Sequence, residues 1–171
     1  HIETDSIVLI LYGDVPLLKI SSLKKLVAAA IKTGFAVLTA NVPNPHGYGR
    51  IIQSGADLIE RIVEEKDASD AETKITEVST GIMAVRAEHL KSCISRLDND
   101  NAQSEYYLTD CVALAVADGI NVANVPVSDP DEASGVNDRR DLARVERLYQ
   151  NRLANDLMDA GVTLVDPQRL D

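Results

Sequence analysis

Apolar positions in this chain follow two rhythms. Short continuous runs, Ile7–Tyr12, Phe35–Ala40 and Ile120–Val127, read as strands covered on both faces. Between them the period changes to that of a helix. Leu23, Leu26, Val27 and Ala30 share one face of a segment capped by Ser21 or Ser22 and stopped by Gly34. This strand–helix–strand order predicts a parallel pair joined by a right-handed crossover. Arg50–Gln53 and Leu58–Glu64 are expected to pair as a hairpin across Ser54-Gly55. Ser69 and Glu72 have the spacing of a capping box, so a short helix is expected to start there. Glu77–Arg86 reads as a strand, and Glu88–Leu97 and Leu108–Asp118 as helices. Asp138–Ala160 is the longest helical pattern, with an apolar stripe of Leu142, Val145, Leu148, Tyr149, Leu153 and Leu157. Gly161 is placed to end it. The alternation predicts an α/β architecture.

Composition narrows this picture. A chain of 171 residues is one domain in size, or most of one. Aromatic residues make up 4% with a single Phe and no Trp, so the core must be aliphatic. The net charge of −10 disfavours non-specific binding to nucleic acid or anionic membrane, and no apolar run is long enough to span a bilayer. It also opposes a triphosphate unless a metal and local cations offset it, and Arg50 and Lys66 are the local candidates. Cys93 and Cys111 lie in helical patterns and read as small buried hydrophobes of a reduced, cytoplasmic protein.

Candidate chemistry begins at Leu11-Tyr-Gly-Asp-Val-Pro-Leu17, directly behind the first strand. Ligands of open α/β sheets bind at the carboxyl ends of strands. Gly13 allows close approach to backbone, and Asp14 offers the hard oxygen that Mg²⁺ requires, of which one or two from protein suffice. Spacing alone equally allows Asp14 to be a turn residue before Pro16. Downstream stand His46-Gly-Tyr-Gly-Arg50, Val63-Glu-Glu-Lys-Asp-Ala68, Ser79-Thr-Gly81, Asn101–Asp110 and Gly135-Val-Asn137.

In that order and at those intervals, the set resembles the uridyltransferase domain of bacterial bifunctional N-acetylglucosamine-1-phosphate uridyltransferase/glucosamine-1-phosphate acetyltransferase. The resemblance covers nearly the whole chain. It implies a Rossmann-like nucleotidyltransferase fold, with a mixed, mainly parallel sheet flanked by helices, of which this chain is a partial domain. It implies that Tyr12, Gly13 and Asp14 touch the uridine nucleotide, with Asp14 also a Mg²⁺ ligand. Gly49 and Glu64 would contact the N-acetylglucosamine part. Asn137 would be the second protein ligand to Mg²⁺ and touch the sugar nucleotide. Tyr107 and Thr109 would line the sugar-phosphate pocket. Ser79 occupies a sugar-contacting position where the family usually has Asn, and a hydroxyl cannot present both amide groups.

The family begins with a Gly-rich loop carrying a catalytic Arg and Lys and ends in a hexapeptide-repeat β-helix through which relatives trimerise. Neither occurs here. The expectation is therefore a middle portion of a larger enzyme, inactive or nearly so alone. Residues 1–150 would be the C-terminal part of the nucleotidyltransferase domain, and 151–171 the end of the long helix and a connector. The implied substrates are UTP and N-acetylglucosamine 1-phosphate, with Mg²⁺ as cofactor. The alternatives are a non-catalytic sugar-nucleotide-binding fragment, or a related sugar-1-phosphate nucleotidyltransferase of different base or sugar.

Two residue-level rivals stay open. Asn137 precedes a helix, where Asn is a favoured N-cap. Alternation lets only one of Glu64 and Glu65 face a given side, and periodicity does not choose. Asp98-Asn-Asp100 reads as a solvated loop, and the three histidines lack metal-ligand spacing.

Overall fold

The computed structural model describes residues 3, 5–55 and 57–169. Contacts divide the chain into two compact units, His1–Tyr12 with Lys19–Pro130, and Gly13–Leu18 with Asp131–Asp171.

The larger unit holds the sheet. Its strands are β1 (Ile7–Ile10), β2 (Phe35–Asn41), β3 (Arg50–Gly55), β4 (Leu58–Val63), β5 (Glu77–Arg86) and β6 (Val122–Pro126), in the order β1-β5-β2-β6-β4-β3. A further pairing sets Arg50 of β3 opposite Val78 of β5. Helices α1 (Ile20–Thr33), α2 (Ala87–Ile94) and α3 (Asp110–Ala117) complete the unit. The α/β architecture and mixed sheet agree with expectation, but the weight given to parallel pairing does not. Only β2–β6 is parallel among the described pairings, and every other one is antiparallel. Strands β1 and β2 run in the same direction, as the crossover predicts. They are not neighbours, because β5 lies between them and pairs antiparallel with both.

Strand β2 is buried at every position but its last, as a continuous apolar run requires. Phe35 and Val37 join Ile51, Ile59, Ile62, Met83, Val85 and Val122 in a core completed by Leu90, Cys93, Cys111 and Val112 from α2 and α3. The remaining β2 residues Ala36, Leu38 and Ala40 are also buried and, by alternation, point the other way. Both cysteines are buried and free, and burial pushes the Cys111 thiol up to about 12.

Local details refine the expected boundaries. The Ser21/Ser22 cap is not formed: α1 starts at Ile20, its N-cap is Lys19, and Ser22 is buried inside the first turn. The carbonyl of Lys19 already accepts from the N–H groups of Ser22 and Leu23, so the turn closes before either serine can cap it. Gly34 ends the helix at φ 92°, a left-handed conformation that glycine adopts at no steric cost. Ser54-Gly55 is not the hairpin turn, since β3 runs through both and Gly55 pairs with Leu58. The capping box forms as spaced. The Glu72 carboxylate accepts from the Ser69 N–H at 2.8 Å and the Ser69 hydroxyl at 2.6 Å. These bonds, with Arg61 at 2.6 Å, hold the Glu72 carboxyl down at about 2.

The smaller unit is built around α4 (Arg139–Asp159). Arg152 donates to the carbonyl of Leu17 at 3.0 Å, and Arg144 to the hydroxyl of Ser134 at 3.1 Å. Gly161 follows α4 at φ 90°. The expected apolar stripe is not a buried face here. Val145 and Ala154 are buried, whereas Leu142 is 54% exposed and Tyr149 50%. Helical period marks which side chains share a face, not whether this chain covers that face. The boundary at residue 150 falls inside α4, and residues 170 and 171 lie outside the described residues.

Candidate functional site

In the larger unit, Gly49, Glu64, Ser79 and Thr109 come together from separate parts of the chain. Gly49 precedes β3, and its carbonyl accepts from the Ser79 N–H at 2.8 Å. Glu64 follows β4, and its Oε1 accepts from the Thr109 hydroxyl at 2.8 Å. A Cβ at Gly49 would stand 2.8 Å from Cγ2 of Ile62 and 3.2 Å from Oε1 of Glu64. Glycine is therefore required for the loop to lie against the carboxylate. Tyr107 takes a hydrogen bond on its hydroxyl from the Gln103 amide at 2.8 Å. Beside this group lies a recess of about 270 Å³ lined by His46, Gly47, Glu64, Glu65, Lys66 and Gln103.

The pair Glu64-Glu65 is resolved by partners. Glu65 accepts from the Gly47 N–H, and its other contacts are Arg50 at 3.3 Å and His46 at 3.5 Å. The Gly47 N–H holds its carboxyl below the ordinary range, outweighing desolvation, with Arg50 and His46 acting in the same direction. Glu65 thus ties down the Gly-Tyr-Gly loop, while Glu64 faces Gly49 and Thr109. Arg50 was a candidate to offset phosphate charge, and this is corrected. It is 2% exposed and donates to the carbonyls of Tyr48 and Thr73 as well as to Glu65. A guanidinium enclosed by its own loop is not available to a triphosphate. Lys66 is exposed and donates to Gln103 at the rim of the recess.

Burial raises the carboxyl of Asp110, and the neighbouring charges of Asp98, Glu64 and Asp67 raise it further.

Tyr12 also belongs to the larger unit, with its ring against Gly81. Gly81 is the residue that sequence reading passed over, although Ser79-Thr-Gly81 displayed it. A positive φ of 77° is its signature in the structure.

The smaller unit holds Gly13, Asp14 and Asn137. The Asp14 carbonyl accepts from the Val136 N–H at 2.8 Å, which joins the strand-end segment to Gly135-Val-Asn137. A Cβ at Gly135 would lie 3.9 Å from that carbonyl oxygen and 4.0 Å from Nδ2 of Asn137. Asn137 is not the N-cap of α4. That role belongs to Asp138, whose carboxylate accepts from the N–H groups of Arg140 at 2.7 Å and Asp141 at 2.8 Å. Asn137 gives its amide N–H to Asp141 at 3.4 Å, which leaves Oδ1 free of the helix terminus. Asp14 and Asn137 are both exposed. A carboxylate and an amide oxygen are hard donors of the kind a divalent cation takes. No cluster of three or more His, Cys, Asp or Glu able to hold a metal occurs among the described residues.

No family model matches the chain. It is 51% identical over 170 residues to the bifunctional protein GlmU of Alkalilimnicola ehrlichii, covering 99% of this chain and 36% of that protein. It is 49% identical over 171 residues to the bifunctional protein GlmU of Cellvibrio japonicus, covering all of this chain and 38% of that protein. The corresponding protein of Thiobacillus denitrificans is 52% identical over 171 residues, of which this chain covers 37%. The chain thus spans little more than a third of the length of these relatives. Among solved structures, the fold is similar to that of CMP:2-keto-3-deoxy-manno-octonic acid synthetase complexed with CTP. The TM-score is 0.60 at 18% identity, covering 88% of this chain and 64% of that one. No helix among the described residues is long and apolar enough to cross a membrane.

Proposed function

We propose that this chain, homologous over its whole length to one segment of the bifunctional GlmU proteins, is part of a uridyltransferase that makes UDP-N-acetylglucosamine. A phosphate oxygen of N-acetylglucosamine 1-phosphate attacks the α-phosphorus of UTP in line, and pyrophosphate leaves. The attacking oxygen is already anionic, so no strong general base is required. The work left to the protein is positioning and charge neutralisation.

The residues divide that work. Glu64 accepts from donors on the sugar, with Thr109 fixing its carboxylate and Gly49 offering backbone. Tyr107 and Ser79 would line the same pocket. Tyr12 and Gly13 meet the nucleotide. Asp14 and Asn137 would hold Mg²⁺. When bound, such an ion offsets the charge of the triphosphate and of the pentacoordinate phosphorus. The reaction is one of the cytoplasm and supplies cell-wall precursor synthesis. Trimerisation would use chain outside this segment.

The observation that carries this reading is near-half identity along the entire chain to proteins of one name. The test is an assay of the intact protein with UTP, N-acetylglucosamine 1-phosphate and Mg²⁺. Pyrophosphate and UDP-N-acetylglucosamine should form together in equal amounts. Turnover only with a different nucleotide or sugar 1-phosphate would replace this reading by that of a related pyrophosphorylase. Sugar-nucleotide binding without turnover would leave a binding module.

A further inference from the structure

We infer that Gly81 is the positioning residue for Tyr12, held in place by the hydroxyls of Ser79 and Thr80. The inference rests on the reading of Tyr12 as a nucleotide contact. It starts from the pairing of β2 with β5. Val37 stands opposite Met83 and Thr39 opposite Ser79, so Leu38 alone faces Thr80, Gly81 and Ile82. Strand β5 must bulge to accommodate the excess, and bulges re-aim what lies beside them.

The bulge replaces lost ladder bonds with side-chain ones. The Ser79 hydroxyl accepts from the Gly81 N–H at 3.1 Å. The Thr80 hydroxyl donates to the Leu38 carbonyl at 2.7 Å and accepts from the Ile82 N–H at 3.2 Å. Between these anchors Gly81 takes φ 77°, a conformation that residues with a Cβ adopt at a cost.

The space above Gly81 is filled by Tyr12. A Cβ added there would collide with Cε2 of the ring and stand 3.2 Å from Cδ2 and Cζ. The ring is therefore seated on bare backbone, while Tyr12 as a whole remains 44% exposed to whatever binds at the strand end. Two independent demands, the dihedral angle and the ring contact, fall on one glycine. Ser79 serves the bulge through its hydroxyl, a role separate from the sugar contact that its position suggests.

The test uses the intact protein with Gly81→Ala, Ser79→Ala and Ser79→Thr. The readouts are KM for each substrate, kcat, and the ring NMR signals of Tyr12, assigned with Tyr12→Phe. Gly81→Ala should raise KM for UTP tenfold or more and shift the Tyr12 ring signals. KM for the sugar phosphate should stay within twofold. In a Tyr12→Ala background the further effect of Gly81→Ala on KM for UTP should largely vanish. Ser79→Ala should raise KM for UTP by a smaller factor, near threefold, and Ser79→Thr should restore it. If Gly81→Ala does not fold, the two Ser79 variants decide alone.

Unmoved Tyr12 ring signals in a folded Gly81→Ala protein would overturn the inference. So would a Ser79→Ala effect confined to the sugar phosphate, which would make Ser79 a substrate contact only. A wild-type protein that does not use UTP would defeat the functional reading instead, and the ring signals would still judge the seat of Tyr12.

Discussion

Asp14→Ala in the intact protein is expected to lower uridyl transfer by about a hundredfold or more, a barrier increase of ~3 kcal/mol. The size follows from what the carboxylate supplies. The chain has a net charge of −10, the proposed substrate is a triphosphate, and Arg50 is enclosed by its partners. A large share of charge neutralisation in this segment would then fall to the cation that Asp14 would hold. The loss should be one of chemistry and not of folding. Asp14 joins the Gly135–Asn137 segment through its backbone carbonyl, a bond that alanine keeps. Turnover measured against Mg²⁺ concentration, with a urea midpoint as control, checks this. Near-normal turnover at saturating Mg²⁺ would remove Asp14 from the site.

The second large effect is on stability. Phe35→Ala is expected to destabilise the larger unit by about 3–5 kcal/mol. Phe35 is fully buried and pairs with Val85 on one side and Val122 on the other. It is the one aromatic residue in the described core cluster, so no second ring packed there can swing into the cavity. By contrast, Ile20→Ala should change stability by less than about 0.5 kcal/mol, because Ile20 is 72% exposed. Urea midpoints of both variants decide the matter. A loss below ~1 kcal/mol for Phe35→Ala would mean that the core relaxes around the missing ring.

Much of this molecule could be read from its residues, and the failures have identifiable causes. Strand β5 was legible to the residue, because its apolar run is bounded by Thr76 before it and by the helical period after Arg86. Gly34 and Gly161 marked helix ends, because only a left-handed residue closes them cheaply. Strand order was not legible. Periodicity reports which face of a strand is apolar and carries nothing about which neighbour covers its edge, so the insertion of β5 between β1 and β2 came only from the structure. The Ser21/Ser22 cap failed for a related reason. Whether a serine caps depends on where the chain enters the helix, and the extended conformation of Lys19 sets that entry earlier.

The site shows the same division. Gly49, Glu64, Ser79 and Thr109 were singled out far apart in the chain, and the fold brings them together. Choosing between Glu64 and Glu65 needed their partners, which no alternation rule supplies. Asn137 and Asp138 compete for one cap by residue type. The structure gives it to Asp138, whose φ −139° and ψ −179° are those of the extended residue before a helix. Gly81 stayed unread because its meaning depends on a bulge, and a bulge is a property of two strands together.

The proposed chemistry depends most on one divalent cation that the carboxylate of Asp14 and the amide oxygen of Asn137 would share. The direct measurement is the affinity of the intact protein for Mn²⁺ in the presence of UTP, read by electron paramagnetic resonance for wild type, Asp14→Ala, Asn137→Ala and the double variant. Each single change should weaken binding, and the double variant should be no weaker than the poorer single one within about threefold, since one site can be lost only once. Wild-type affinity in Asn137→Ala, or two losses that simply multiply, would place the two oxygens at separate jobs and contradict the account.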